Sequence, residues 1–228
     1  MPRLNAEALK VLHADNHLLV VWKPACVPSV PDESGDPSLL DLAKEWVRLR
    51  YDKPGNVFLG VVHRLDRPVS GVLVFARTSK AASRLTDAFR RRTVEKLYWG
   101  ISGHAPDTDS GVVEHWLHKD RERNRVRVVE EGHEGAKLAR TQWRVLSASK
   151  GRVHFELKPE TGRPHQLRVA VRSLGCVLAG DLKYGADEPL SDGSIALHAR
   201  SLSLIHPTTK ERLRFVADTP DLGIWRGL

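Results

Sequence analysis

Residues 60–78 read GVVHRLDRPVSGVLVFART. Two short apolar runs, Val61-Val62 and 72–76, flank a polar knot, His63-Arg64-Leu65-Asp66-Arg67-Pro68. Short runs rich in Val, Leu and Phe suit buried strands, and Pro68 and Gly71 mark the turn between them. The knot is therefore expected at a strand end. There it forms a rigid platform presenting one carboxylate, Asp66, between two guanidinium groups, Arg64 and Arg67. A carboxylate flanked by positive charge stays ionised, which suits nucleophilic attack or charge stabilisation better than acid catalysis. On spacing alone the pattern also reads as a strand–loop–strand with a surface ion pair.

Upstream, 18–22 is an apolar strand stopped at Lys23-Pro24, and 26–37, rich in Pro, Ser, Asp and Gly, is loop. Asp36-Pro37 reads as the start of a helix over 38–50, with Leu39, Leu42, Ala43, Trp46 and Val47 on its buried face. Downstream, 79–91 is a second helix with an Ala82, Leu85, Phe89 stripe. It closes on Arg90, Arg91 and Arg92, cations that complement the helix dipole and would suit phosphates. Strand 94–102 alternates, placing Leu97, Trp99 and Ile101 on one face and Lys96, Tyr98 and Gly100 on the other. Tyr98 is thus placed for a polar task, or simply covers a sheet edge.

Segments 111–117, 125–129, 139–146 and 152–157 read as an antiparallel meander. In 159–175, Pro164 fits the first turn of a helix and Gly175 its end. Leu167, Ala170, Val171 and Leu174 form its buried stripe, with His165, Arg168 and Arg172 on the opposite polar face. GDLKYG at 180–185 reads as a turn with a lysine and a tyrosine at its tip. Segments 195–205 and 213–216 are final strands, followed by a tail. Strands and helices interleave from end to end, which predicts one continuous α+β domain over 1–228.

At 228 residues the chain can bury roughly 70% of its unfolded surface, so it needs neither disulfides nor metal to fold. No apolar run approaches the ~20 residues of a membrane span. The N-terminus lacks the apolar core of a signal peptide. Two cysteines without paired metal spacing fit a reducing cytoplasm. Lys plus Arg outnumber Asp plus Glu 36 to 28, a net charge of +8. That balance favours a polyanionic partner, and it is concentrated at 90–92 and in KDRERNRVR at 119–127.

HRLDRPVSG at 63–71, KLY at 96–98, GRPHQLR at 162–168 and GDLKYG at 180–185, in this order, resemble the RluA family of RNA pseudouridine synthases. The resemblance covers about 11–216 and includes the Lys-Pro pair of DNHLLVVWKPACVPSVP. It implies a pseudouridine synthase catalytic fold: a central, mainly antiparallel bent sheet flanked by helices, with an RNA-binding active-site cleft. It implies Asp66 as the nucleophile, Tyr98 as a uracil-pocket residue implicated in proton transfer, and Arg168 as the partner of the catalytic carboxylate. Arg64 matches a residue that helps hold RNA open around the extruded base. His63, Arg67, Arg90, Arg91, Arg92, Arg163 and His165 are the further RNA-binding candidates. Val69 and Pro164 stand where the family commonly has threonine; neither change removes an acid, base or cation.

Pseudouridine formation breaks the bond between the ribose carbon and uracil N1, turns the base, and rejoins it through C5. No redox change or external group is involved, so no cofactor or metal is demanded. Two roles for Asp66 stay open, addition to the base and action at the sugar carbon. Tyr98 is either a base or a stacking platform, since a free tyrosine titrates near ~10. The uridine must be flipped out, at a cost of a few kcal/mol by order of magnitude. This points to loops or bulges, and the resemblance implies ribosomal or transfer RNA as the substrate. The expected protein is a cytoplasmic monomer, without a membrane partner and without a separate N-terminal RNA-binding domain. The rival readings are a non-catalytic RNA-binding or ribosome-assembly protein on the same scaffold, a hydrolase pairing His63 with Asp66, and a metal enzyme using His115 and His118.

Overall fold

The computed structural model of the protein describes residues 5–227. The fold is α+β, and the chain divides into two compact units. One holds the chain up to Glu95 together with Ala199–Asp218; the other holds Lys96–His198 and the C-terminal residues from Thr219.

In the first unit, strands β1 (Val11–Ala14), β2 (Leu18–Lys23), β4 (Ser70–Ala76) and β10 (Leu197–Ile205, from Ala199 on) lie in that order. The two-residue β3 (Gly60–Val61) pairs with β4, and β11 (Arg212–Val216) with β10. Every residue of β4 is buried, so it reads as an unbroken apolar run rather than as an alternation. Helices α1 (Leu39–Arg50) and α2 (Ser79–Arg90) belong to this unit. Leu85 of α2 buries its side chain with Leu18, Val20, Val72 and Val74, worth ~1.5–3 kcal/mol for one such residue.

The start of α1 differs from the sequence expectation. Its N-cap is Ser38, not Asp36, and Ser38 forms a reciprocal capping box with Asp41. Gly71 lies inside β4 instead of in the preceding turn. Its φ is +124°, and a Cβ there would sit 2.3 Å from the Ala199 carbonyl oxygen, so only glycine fits.

In the second unit the order is β5 (Glu95–Ser102, from Lys96 on), β9 (Arg152–Pro159), β8 (Lys137–Ser149), β6 (Ser110–Asp120), β7 (Arg125–Val129), all neighbours antiparallel. This is not the simple meander expected: β8 returns past the β6–β7 hairpin and pairs with β6. Helix α3 (Gln166–Ser173) begins two residues after Pro164, and six of its residues, Gln166 to Val171, are buried. It ends in a Schellman motif, with Gly175 N–H on the Arg172 carbonyl and Cys176 N–H on that of Val171. The tail is also more ordered than expected: a short 3₁₀ turn, Gly223–Trp225, buries Trp225 against Ile101 and Ala196. Among the described residues no helix is long and apolar enough to cross a membrane.

Candidate active site

Asp66 sits in an irregular segment between β3 and β4 and is half-buried. Its own carbonyl accepts from Val69 N–H at 3.0 Å, closing a turn. Both its sequence neighbours are pinned. Ser29 Oγ donates to the Leu65 carbonyl at 2.7 Å and accepts from Leu65 N–H at 3.2 Å. The Arg67 carbonyl accepts from Cys26 N–H at 2.8 Å. Residue 26 reaches this position with a left-handed backbone, φ 64°. The loop at 26–37, legible in sequence only as irregular, is therefore one wall of the aspartate turn.

Beneath the turn lies Lys23, which in the sequence ends the apolar strand and belongs to the Lys-Pro pair of the family resemblance. Its side chain is fully buried. Its Nζ donates to the carbonyls of Pro24 at 3.0 Å, Arg67 at 3.0 Å and Val69 at 2.7 Å. Three acceptors match the three donors of an ammonium group. Burial nonetheless draws its pKa down to about 7. Cys26 and Asp66 nearby favour the charge, and Arg67 opposes it. The signal available in sequence was a lysine ending an otherwise apolar strand, where a charge needs several partners to be buried.

Arg67 does not simply flank Asp66. Its guanidinium reaches across to the 26–37 loop, pairing with Asp36 and lying 3.6 Å from Asp32, with Nε on the Cys26 carbonyl. Arg64 is exposed. His63 Nε2 accepts from Val74 N–H at 3.0 Å, and its ring stacks on Phe89 at 4.7 Å. The imidazole thus extends the pairing of β4 where β3 ends, and the nitrogen that would activate a water is engaged. At the end of α2, Arg90 and Arg91 are exposed and share Asp87 as an ion partner. Arg92 follows in the left-handed conformation, φ 62°.

In the second unit, Tyr98 is half-buried on β5, opposite Leu157 of β9. Two residues on, a Cβ at Gly100 would lie 2.8 Å from the Leu178 side chain, so this face of β5 is closely packed beyond the tyrosine. Lys96 Nζ donates to the Thr161 carbonyl at 3.3 Å, tying the strand to the turn before α3.

That turn, GRPHQ, is organised by Gln166. Its Oε1 accepts from Thr161 Oγ1 and Arg163 N–H, and its Nε2 donates to the Arg140 carbonyl and Thr141 Oγ1. Arg163 Nε donates to the Leu138 carbonyl at 2.9 Å. His165 caps α3 with φ 51° and is 9% exposed. The face expected to be polar is thus mostly buried: of His165, Arg168 and Arg172 only Arg172 is exposed.

Arg168 is 6% exposed and Asp181 1%. The two form a bidentate pair, Nε to Oδ2 at 2.7 Å and Nη2 to Oδ1 at 2.5 Å. Asp181 belongs to GDLKYG, in which Leu182–Tyr184 form a 3₁₀ turn. Tyr184 is buried, not at an exposed tip, and its ring lies 4.9 Å from the Arg168 guanidinium carbon. Gly180 permits this path: a Cβ there would lie 2.6 Å from the Ser194 carbonyl oxygen, at φ +80°. Among the described residues no group of three or more His, Cys, Asp or Glu side chains is arranged to hold a metal ion.

The sequence and structure have close parallels. Residues 17–173 match the family model of RNA pseudouridylate synthase. A protein of Zymomonas mobilis described as an uncharacterized RNA pseudouridine synthase is 34% identical over 206 residues, covering 86% of this chain and 88% of that one. The ribosomal large subunit pseudouridine synthase D of Pseudomonas aeruginosa is 31% identical over 240 residues, covering 95% and 70%. The solved structure of human RNA pseudouridylate synthase domain containing 4 aligns with a TM-score of 0.78 at 30% identity, covering 95% of this chain and 91% of that one. On motif order, fold and these matches together, the chain belongs to the RluA family of RNA pseudouridine synthases, which are isomerases.

Proposed function

We propose that the protein isomerises particular uridines of ribosomal or transfer RNA to pseudouridine, with Asp66 as its nucleophile. The observation that supports this most is the immobilised aspartate turn. Lys23, Ser29 and Cys26 fix the backbone on both sides of Asp66. A carboxylate held in this way is preorganised for attack, and preorganisation lowers the barrier to a covalent step.

In this reading the glycosidic bond to uracil N1 breaks and the detached base turns. C5 then bonds to the ribose carbon, its proton leaves, and N1 takes up a proton, so the product is an isomer of the uridine. Tyr98 lines the uracil pocket. The family resemblance assigns Arg168 as the partner of the catalytic carboxylate. Arg64, Arg90, Arg91 and Arg92 meet phosphates of the RNA around the flipped base. Arg67, His63, Arg163 and His165 serve the RNA surface by holding its loops. The two units act as one catalytic domain in a cytoplasmic monomer. The ribosomal substrate is favoured over transfer RNA by the name of the Pseudomonas aeruginosa relative.

Tritium release from RNA labelled at uracil C5, prepared from cells lacking the protein, tests this directly. Wild type should release tritium and Asp66→Asn should not. Intact RNA binding without release from ribosomal or transfer RNA would instead support a non-catalytic assembly role.

A further inference from the structure

The second unit contains a joint that the reaction does not call for by itself. The Tyr184 hydroxyl lies 2.9 Å from Val126 N, 3.3 Å from Val126 O and 2.8 Å from His165 Nδ1. A phenol has one proton to donate and can accept the rest. It accepts from Val126 N–H and gives its proton to either Val126 O or His165 Nδ1. Val126 is in β7, and His165 is the N-cap of α3. One buried hydroxyl therefore fastens the β6–β7 hairpin to the start of the helix that carries Arg168.

The same turn makes further attachments. The Tyr184 ring faces the Arg168 guanidinium, and its carbonyl accepts from Arg172 Nη1 at 3.2 Å. The neighbouring Lys183 Nζ donates to the Asn124 carbonyl at 2.9 Å, at the hairpin tip, where Asn124 is left-handed. Tyr184 also packs with Leu117, Val126, Ala139 and Val169. The hairpin beyond this joint carries exposed Lys119, Arg121, Arg123, Arg125 and Arg127, a basic strip suited to RNA phosphates.

We propose that Tyr184 is a positioning residue that couples the basic β6–β7 hairpin to Arg168, so that RNA held by the hairpin sets the orientation of the guanidinium. This rests on the functional reading above only in giving Arg168 a part in the reaction. The coupling itself is a property of the second unit.

The test reads the Arg168 Nε–H resonance by NMR, assigned through Arg168→Lys, with unmodified 23S ribosomal RNA fragments as the probe. In the wild type, RNA addition, or neutralising the hairpin with Arg123→Ala and Arg127→Ala together, should move this resonance. In Tyr184→Phe, which keeps the ring but loses the hydroxyl, both perturbations should leave it in place. Lys183→Ala, which removes only the surface attachment, should weaken the response in part and covers the case in which Tyr184→Phe does not fold. In turnover, hairpin neutralisation should lower kcat about tenfold in the wild type and less than about twofold in Tyr184→Phe, the non-additivity of a coupled pair. A resonance unmoved in the wild type, or one moving equally in Tyr184→Phe, would overturn the coupling. A responsive resonance with no tritium release would instead sink the functional reading and leave the coupling standing.

Discussion

Arg168 and Asp181 form a two-point clasp in which both charged groups are almost wholly removed from solvent. A buried pair of this kind gains little net stability over apolar packing, but losing one partner strands a charge. Asp181→Ala should therefore lower unfolding free energy by about 3–5 kcal/mol, measured by urea titration. The more informative variant is Asp181→Asn, which keeps the shape but not the charge. A guanidinium displaced by about 1 Å can cost on the order of a hundredfold in rate, so kcat should fall far more than RNA affinity. Wild-type kcat in a folded Asp181→Asn enzyme would show that Asp181 does not orient Arg168.

The sequence placed Arg168 in a motif but could not show this clasp, because Asp181 lies in another element and only tertiary packing brings the two together. The surroundings of α3 are hidden from the sequence for a related reason. Period-based reading assumes one buried face and one wet face. An eight-residue helix packed against β6, β7, β8 and the 3₁₀ turn is covered on most sides. His165, expected on the polar face, is therefore a buried cap. By contrast β7 and the start of α2 were legible to the residue, since alternation, a Thr-Ser start and closing arginines all agree there. The burial of Lys23 is not legible in the sequence, because a lysine after an apolar strand usually snorkels to water; here three carbonyls at and beside the aspartate turn accept from it instead.

Lys23 makes stability depend on pH in a defined direction. Its folded pKa, about 7, lies below the ordinary lysine value of 10.5. The unfolded chain therefore binds more protons than the folded one between these limits, and stability rises as pH increases through that window. The slope from this group is at most about 1.4 kcal/mol per pH unit. Urea midpoints for wild type and Lys23→Met at pH 7, 8 and 9 should converge on the wild type gaining relative to the variant. A constant difference across that range would mean that Lys23 keeps its proton, held by its three carbonyl acceptors.

Arg92 occupies the position after α2 that favours glycine. Thr93 N–H bonds to the Ala88 carbonyl and Arg92 N–H to that of Phe89, a Schellman closure with an arginine at the left-handed residue. A left-handed side-chain-bearing residue costs roughly 1–2 kcal/mol. Arg92→Gly should accordingly raise stability, by about 1 kcal/mol once the greater freedom of the unfolded glycine is included. If Arg92 meets a phosphate, the same variant should bind RNA more weakly and lower the salt slope of log Kd by about 1. Greater stability with unchanged salt dependence would remove Arg92 from the RNA surface.

Ser29 tests whether the aspartate turn must be held still. Its hydroxyl satisfies both backbone groups of Leu65, the residue before Asp66, and Ser29 and Leu65 are both buried. Ser29→Ala leaves that N–H and C=O without this partner, at a cost of about 1–3 kcal/mol. Local loosening would spread Asp66 over more positions, so fewer would be competent for attack. The expected result is a fall in kcat of about tenfold, with KM and RNA affinity near wild type, because the change removes reactive geometry and not a contact with RNA. Thermal melting of the same preparation separates this from partial unfolding, since a folded fraction near unity cannot explain a tenfold loss. If Ser29→Ala loses stability as expected yet turns over at the wild-type rate, the position of Asp66 is set by Lys23 and the Cys26–Arg67 bond alone.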